Sequence, residues 1–186
     1  MRKIIVFNMI SVDGFFCGPN GEIDWHNVDG EFNEFAIKQL TDEVGLLLFG
    51  RTTYELMAGY WSSQGAVKDD PIVARLMNNA EKIVFSKSMN KAEWNNTRLV
   101  KDIGTEYIRK LKSETGKDIF IFGSGTIVQE FASLGLIDDY RLMVNPVALG
   151  IGKPLFKEKT KLKLLTSREF KNGNVLLFYQ AKGNKG

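Results

Sequence analysis

The strongest constraint on this chain is the order in which its apolar patterns change. Short runs such as Ile4-Ile5-Val6-Phe7, Leu46 to Phe49, Lys82 to Phe85 and Ile119-Phe120-Ile121-Phe122 are continuously apolar or nearly so. A strand covered on one face alternates, whereas a continuous run is covered on both, as in the middle of a largely parallel sheet. Between these runs lie helical patterns, and from Tyr140 onward the chain reads as strands alone. Alternation followed by terminal strands gives an α/β sheet with an antiparallel edge.

The helical patterns come with their own punctuation. Asp29 is placed to cap a helix whose Phe32, Phe35, Ala36 and Leu40 share one face, with Gly45 or its neighbours ending it. Gly50-Arg51-Thr52-Thr53 leads into a helix starting near Tyr54, and Asp70-Pro71 opens another with Ile72, Val73, Leu76 and Met77 inward. Tyr107, Ile108 and Leu111 mark a helix closed by Gly116, and Ile127, Val128, Phe131 and Leu134 one stopped by Gly135. Tyr140 to Leu149 reads as a long strand. Leu162 to Tyr179 reads as two, joined by a two-residue Asn172-Gly173 hairpin. Lys157, Lys159, Lys161 and Lys163 alternate as lysines on a protected edge strand do. Residues 1–181 are expected to form one domain, with 182–186 as a frayed tail.

Composition narrows the function. The net charge of +3 is spread along the 186 residues without a basic stripe, which argues against nucleic acid as a partner. One cysteine, Cys17, and one histidine, His26, leave no disulfide and no cysteine- or histidine-built metal site. The apolar run from Ile4 to Ile10 is too short to span a membrane and lacks a cleavage-site pattern after it, so a cytoplasmic protein is expected.

Two strand-to-helix junctions carry the chemistry: Gly50-Arg51-Thr52-Thr53 and Gly123-Ser124-Gly125-Thr126. Free N–H groups and the positive end of a helix dipole make such junctions anion sites, and two in one sheet suit a pyrophosphate. A glycine-bearing turn before a helix is also common in proteins with no such ligand. The second junction lacks the third glycine of a Rossmann fingerprint, since Val128 stands there.

Read together, Ser11-x-Asp13-Gly14, Gly50-Arg51-Thr52-Thr53-Tyr54-Glu55, Gly123-Ser124-Gly125-Thr126 with Glu130 and Phe131, and the segment from Pro146-Val147 through Gly150 and Gly152 to Pro154-Leu155-Phe156 resemble one family in order. It is the dihydrofolate-reductase-like superfamily, within it the C-terminal reductase domain of the bacterial riboflavin-biosynthesis deaminase-reductase and its stand-alone relatives. The resemblance implies an eight-stranded, mostly parallel sheet with helices on both faces and an antiparallel C-terminal hairpin. The last motif would lie in a long sixth strand. It further implies a homodimer and NADPH lying across the carboxyl ends of the strands. Gly50, Arg51, Thr52 and Thr53 would hold the pyrophosphate from one side and Gly123, Ser124, Gly125 and Thr126 from the other, with Ser86 and Lys87 beside a ribose 2′-phosphate.

The implied activity is hydride transfer to a C=N or C=O bond of a small heterocycle of the ribosylamino-pyrimidine kind. Asp13 would lie near the nicotinamide, as a proton relay or substrate ligand or as a turn aspartate, and Trp25 near the cofactor or in the core. A pteridine-binding carboxylate would be Glu31 or Glu34, which the pattern leaves undistinguished. Gly59 to Asp70 offers no arginine to clamp the glutamate tail of folate. A non-catalytic NADPH-binding regulatory module is the main alternative, and a folate reductase a weaker one.

Overall fold

The computed structural model describes residues 1–182. The expected sheet forms. β1 (Ile4–Ser11), β3 (Val44–Gly50), β4 (Glu81–Phe85), β5 (Thr97–Val100), β6 (Asp118–Phe122), β7 (Asp139–Asn145), β9 (Leu162–Glu169) and β10 (Val175–Ala181) make one eight-stranded sheet in the order β5-β4-β3-β6-β1-β7-β10-β9. All pairings are parallel except β7–β10 and β10–β9. β2 (Phe15–Cys17) and β8 (Lys153–Pro154) form a separate antiparallel pair.

Why the central strands read as unbroken apolar runs is visible in the layers. On one face Val6, Leu48, Ile83 and Ile121 pack under α5 (Thr105–Ser113) and α6 (Gly125–Ser133) through Ile108, Leu111, Val128 and Phe131. On the other, Ile5, Leu47, Val84 and Phe120 meet α1 (Gly30–Asp42), α2 (Arg51–Trp61) and α4 (Pro71–Asn79) through Ile37, Leu40, Tyr54, Val73 and Met77. Every second residue thus serves the opposite core, and each fully buried Leu or Ile contributes about 1.5–3 kcal/mol over exposure. Asp29 and Asp70 cap α1 and α4 as expected, accepting from the N–H of Phe32 at 2.9 Å and of Val73 at 3.1 Å.

Several expectations are corrected. Ile72 and Leu134 do not face inward but are 46% and 42% exposed, because the helix rotation gives the inner positions to Val73, Ala74 and Met77 in α4 and to Ile127, Val128 and Phe131 in α6. A short helix, α3 (Gln64–Asp69), fills the segment after α2, and β5 was not anticipated. The strand from Tyr140 ends at Asn145, and residues 146–156 run as loop and the short β8 rather than as a long sixth strand. Lys157, Lys159 and Lys161 therefore precede the edge strand, and of the four lysines only Lys163 lies in it.

The terminal hairpin is also not a two-residue turn. Glu169 pairs with Val175, Gly173 donates to the Phe170 carbonyl at 3.0 Å, and only Gly173 takes a positive φ, of 90°. A type I′ turn needs positive φ at both central residues, so Asn172 and Gly173 instead belong to a longer loop with the glycine at its left-handed position. Lys182 donates to the Lys161 carbonyl. The rest of the expected tail, residues 183–186, lies outside the described residues.

Candidate functional site

Four neighbouring parallel strands, β4, β3, β6 and β1, deliver the sequence-marked residues to one edge of the sheet. Ser86-Lys87 follows β4, Gly50-Arg51-Thr52-Thr53 closes β3, Gly123-Ser124-Gly125-Thr126 follows β6 and Asp13 follows β1. Three steps of about 4.8 Å between strands give a row of roughly 14 Å, long enough for an extended two-ended ligand.

The two junctions are built into each other. Gly50 is the N-cap of α2, so the helix starts at Arg51 rather than near Tyr54, and Arg51, Thr52 and Thr53 form its first turn. The Gly50 N–H donates to Ser124 Oγ at 3.0 Å, and the Ser124 N–H donates to Thr53 Oγ1 at 3.0 Å. Each hydroxyl spends a lone pair inside the protein and keeps its own hydrogen. Among the described residues neither Ser124 nor Thr53 has an acceptor for it. Gly123 and Ser124 take φ of 59° and 56°, a left-handed pair that a non-glycine residue adopts at a cost of about 1–2 kcal/mol. That cost is borne where the turn must aim its N–H groups away from the strand, and both helix N-termini face the same edge. Arg51, Thr52 and Thr126 are exposed there, and Arg51 makes no ion pair among the described residues.

At the β4 end, Ser86 is buried and accepts from the Met89 N–H at 3.1 Å, while Lys87 is 83% exposed and pairs with Asp102 at 3.2 Å. The segment after Lys87 is fastened to α2. The Trp94 N–H donates to the Tyr54 hydroxyl at 2.8 Å and its indole N–H to Asn78 Oδ1 at 2.6 Å. Beneath it Lys82, fully buried, gives its Nζ to the carbonyls of Met77, Asn78 and Ala80 and lies 4.4 Å from the Trp94 ring centroid. Burial lowers Lys82 to about 8.

The residues expected at the reacting end are bound into their own loops. Asp13 Oδ1 accepts from Ser11 Oγ at 2.6 Å and from the Leu149 N–H at 3.1 Å, and its Oδ2 from the Gly150 N–H at 2.7 Å. The Ser11 hydroxyl, then the Gly150 N–H, hold this carboxyl below its ordinary value, so it is ionised at neutral pH. Glu31, at the start of α1, accepts from the Lys171 N–H at 3.0 Å and from Arg168 at 3.3 Å, and it too is lowered, first by the Lys171 N–H. Glu34 is exposed. Trp25 is half-buried, its indole N–H on the Glu22 carbonyl at 3.2 Å and its ring edge-on to His26 at 4.5 Å. Burial lowers His26 to about 4. Behind these loops an asparagine clamp fastens the approach to α1: Asn145 accepts from the Asn27 N–H at 2.8 Å, and in the hairpin loop Asn172 exchanges bonds with Asn27 while Asn174 donates to the Asn27 carbonyl.

An aromatic wall went unread in the sequence. Phe122, the residue before the second junction, meets Phe7 of β1 at 5.8 Å, and Phe7 lies 6.4 Å from Phe32 and 6.3 Å from Phe35 of α1. Phe35 continues edge-on to Phe170 at 5.8 Å, and the Arg168 guanidinium covers both. Phe7, Phe32, Phe35 and Phe122 are only partly buried, so this is packing with open ring surface, a natural wall for a flat heterocycle. Phe32 and Phe35 signalled a helix face. That the face meets Phe7 and Phe122 is a property of strand order.

Among the described residues no three of His, Cys, Asp and Glu come together as a metal site would need, and no helix is long and apolar enough to cross a membrane. Comparison with known proteins is consistent across methods. Residues 2–176 match the model of the RibD C-terminal domain. The uncharacterized protein YyaP of Bacillus subtilis is 33% identical over 98% of this chain and 96% of its own length, and YwjB of the same organism is 26% identical over 97% and 99%. Among solved structures, a Shewanella sp. PV-4 protein provisionally assigned to riboflavin biosynthesis superimposes with a TM-score of 0.73 at 24% identity, over 97% of this chain and 99% of that one. A pyrimidine reductase-like protein from Corynebacterium diphtheriae gives 0.67 at 16% identity, over 97% and 92%. Dihydrofolate reductase from Enterococcus faecalis, complexed with NADP(H) and RAB-propyl, gives 0.64 at 15%, over 97% and 96%. These likenesses agree on the dihydrofolate-reductase-like fold, and the match along almost the whole length means that the chain belongs to the RibD C-terminal domain family.

Proposed function

We propose that the protein is an NADPH-dependent reductase that transfers a hydride to a C=N or C=O bond of a small heterocycle, of the ribosylamino-pyrimidine kind found in riboflavin biosynthesis. The observation that carries this reading is the row of strand ends from Lys87 to Asp13, with two helix N-termini interlocked at its centre. The residues fit such a cofactor. Arg51, without an ion pair among the described residues, the donor hydroxyls of Ser124 and Thr53, exposed Thr52 and Thr126, and the backbone of Gly123 and Gly125 would form an anion cradle, with Gly50 fixing the start of α2 through its bond to Ser124. Ser86 and Lys87 supply a hydroxyl and a cation one strand further out.

When bound, NADPH supplies the hydride. The protein's residues would do the positioning: the junctions would hold the pyrophosphate, and the wall of Phe7, Phe32, Phe35 and Phe122 a flat ring. Asp13 and Glu31, tied to backbone N–H groups, shape the loops beside the ring, and with both carboxyls committed to those bonds the proton would reach the substrate from water.

Protein mixed with NADPH and a panel of pyrimidine, pterin and carbonyl compounds, followed at the nicotinamide absorbance, tests the reading. Oxidation of NADPH with one of them is expected. Tight binding without oxidation on any would leave a nucleotide-binding module, and absence of NADPH binding by calorimetry would end the cofactor assignment. A homodimer belongs to the same proposal, supported by the edge strand β9, whose Leu164 and Leu165 are exposed. Light scattering should give twice the 21.0 kDa of one chain, and a mass of one chain at micromolar concentration would refute it.

A further inference from the structure

Asn8 stands in the middle of β1, is 2% exposed, and leaves both its Nδ2 and its Oδ1 without a hydrogen-bond partner among the described residues. Buried amides are ordinarily paired at both ends, and a sheet interior that leaves both open gives up stability. A leucine, of similar size, would carry no such defect there.

The position of the amide indicates what it serves. Val6 and Ile10, two residues to either side, belong to the apolar core beneath α6, and strand alternation puts Asn8 on that same face. β1 runs parallel to β6 with Phe7 opposite Phe122, so one step further sets Asn8 level with Gly123, where the second junction begins. Phe16 of β2 covers that junction: its ring occupies the space a Cβ on Gly125 would need, 2.4 Å away. Phe16 belongs to the short β2–β8 pair outside the main sheet. The register therefore sets an unpaired amide level with the start of the α6 junction, which a single aromatic ring on a two-stranded flap covers.

We propose that Asn8 is the receptor for a planar amide bound at this junction, its Nδ2–H donating to the ligand's carbonyl and its Oδ1 accepting from the ligand's N–H, and that Phe16 covers the receptor until the ligand enters. Two sources share this chemistry: the carboxamide of a nicotinamide ring and the lactam edge of a pyrimidine or pteridine. The first source rests on the cofactor reading above; the second does not.

The experiment compares the parent with Asn8→Leu by thermal unfolding without ligand and by calorimetric titration with NADPH, with the reduced 3-acetylpyridine analogue of NADPH, which lacks the carboxamide N–H, and with lumazine, a pteridine lactam. Removing an unsatisfied amide is expected to raise Tm by about 3 °C. Affinity for NADPH is expected to fall about tenfold, with the parent's preference for NADPH over the acetylpyridine analogue lost in the variant. A tenfold loss confined to lumazine supports the receptor and assigns the amide to the substrate. A variant that loses Tm while keeping its affinity for all three ligands would show Asn8 to be structural and overturn the proposal, as would a raised Tm with every affinity unchanged. Should Asn8→Leu not fold, Asn8→Ser, which cannot make the two-point contact, carries the same titrations. Failure of the parent to bind NADPH would end the cofactor reading and leave lumazine to decide on Asn8.

Discussion

The two ends of the candidate site treat their polar groups in opposite ways. On the side of β3 and β6 polar groups keep capacity to spare: among the described residues Arg51 makes no ion pair, and the hydroxyls of Ser124 and Thr53 accept from backbone N–H groups without donating. On the side of β1, Asp13 and Glu31 are committed to bonds that join one loop to another. On the proposed reading the outer end would receive charge from a ligand, whereas the inner end spends its carboxylates on holding loops together.

The largest expected effect tests the outer end. Arg51→Ala removes a cation that makes no ion pair among the described residues, and charge-assisted bonds are worth about 1.5–3 kcal/mol, so NADPH affinity should fall up to about 100-fold in calorimetry. NADH should lose less. An unchanged NADPH affinity would reduce both junctions to ordinary helix starts and remove the contrast.

The inner end gives the next effect, through pH. His26 titrates at about 4 in the folded protein against 6.5 in the unfolded chain because it is buried. Between those values the unfolded chain holds a proton that the folded one does not, so stability is complete above pH 6.5 and drains away as pH falls toward 4. The whole shift is worth about 3 kcal/mol, which the ring's partial exposure screens to about 2. Urea titrations of His26→Phe at several pH values should show this slope flattened relative to the parent; parallel slopes would mean that His26 is not held neutral by the loops around it.

Lys87→Ala should weaken NADPH about tenfold and leave NADH unchanged, because the 2′-phosphate that would displace Asp102 from Lys87 on the proposed reading is absent from NADH. Equal affinity of the parent for the two cofactors would remove Ser86 and Lys87 from the site. The smallest effect falls on the committed carboxylates. Asp13→Asn keeps one acceptor for the 149–150 turn and should lower turnover only a few-fold, equally at every pH, whereas a proton donor would lose a limb of the pH–rate profile. Loss of that limb would equate the two ends of the site after all.

The residues that local rules determine were legible from the chain itself. Unbroken apolar runs fixed the doubly covered strands, Asp29 and Asp70 the helix starts, and Gly123 the left-handed turn before α6. These signals are short-range, so a single sequence carries them in full. Tertiary structure alone decided the partners. The Asn172-Gly173 pair reads locally as a tight hairpin, yet Asn172 and Asn174 are needed to hold Asn27, and the loop lengthens to allow it. Asp13, Glu31 and Asn8 show the same division most clearly. A carboxylate or amide reads the same in sequence whether its oxygens meet a ligand, a backbone N–H from residue 150 or nothing, because hydrogen bonding is set by distances between segments that only strand order brings together.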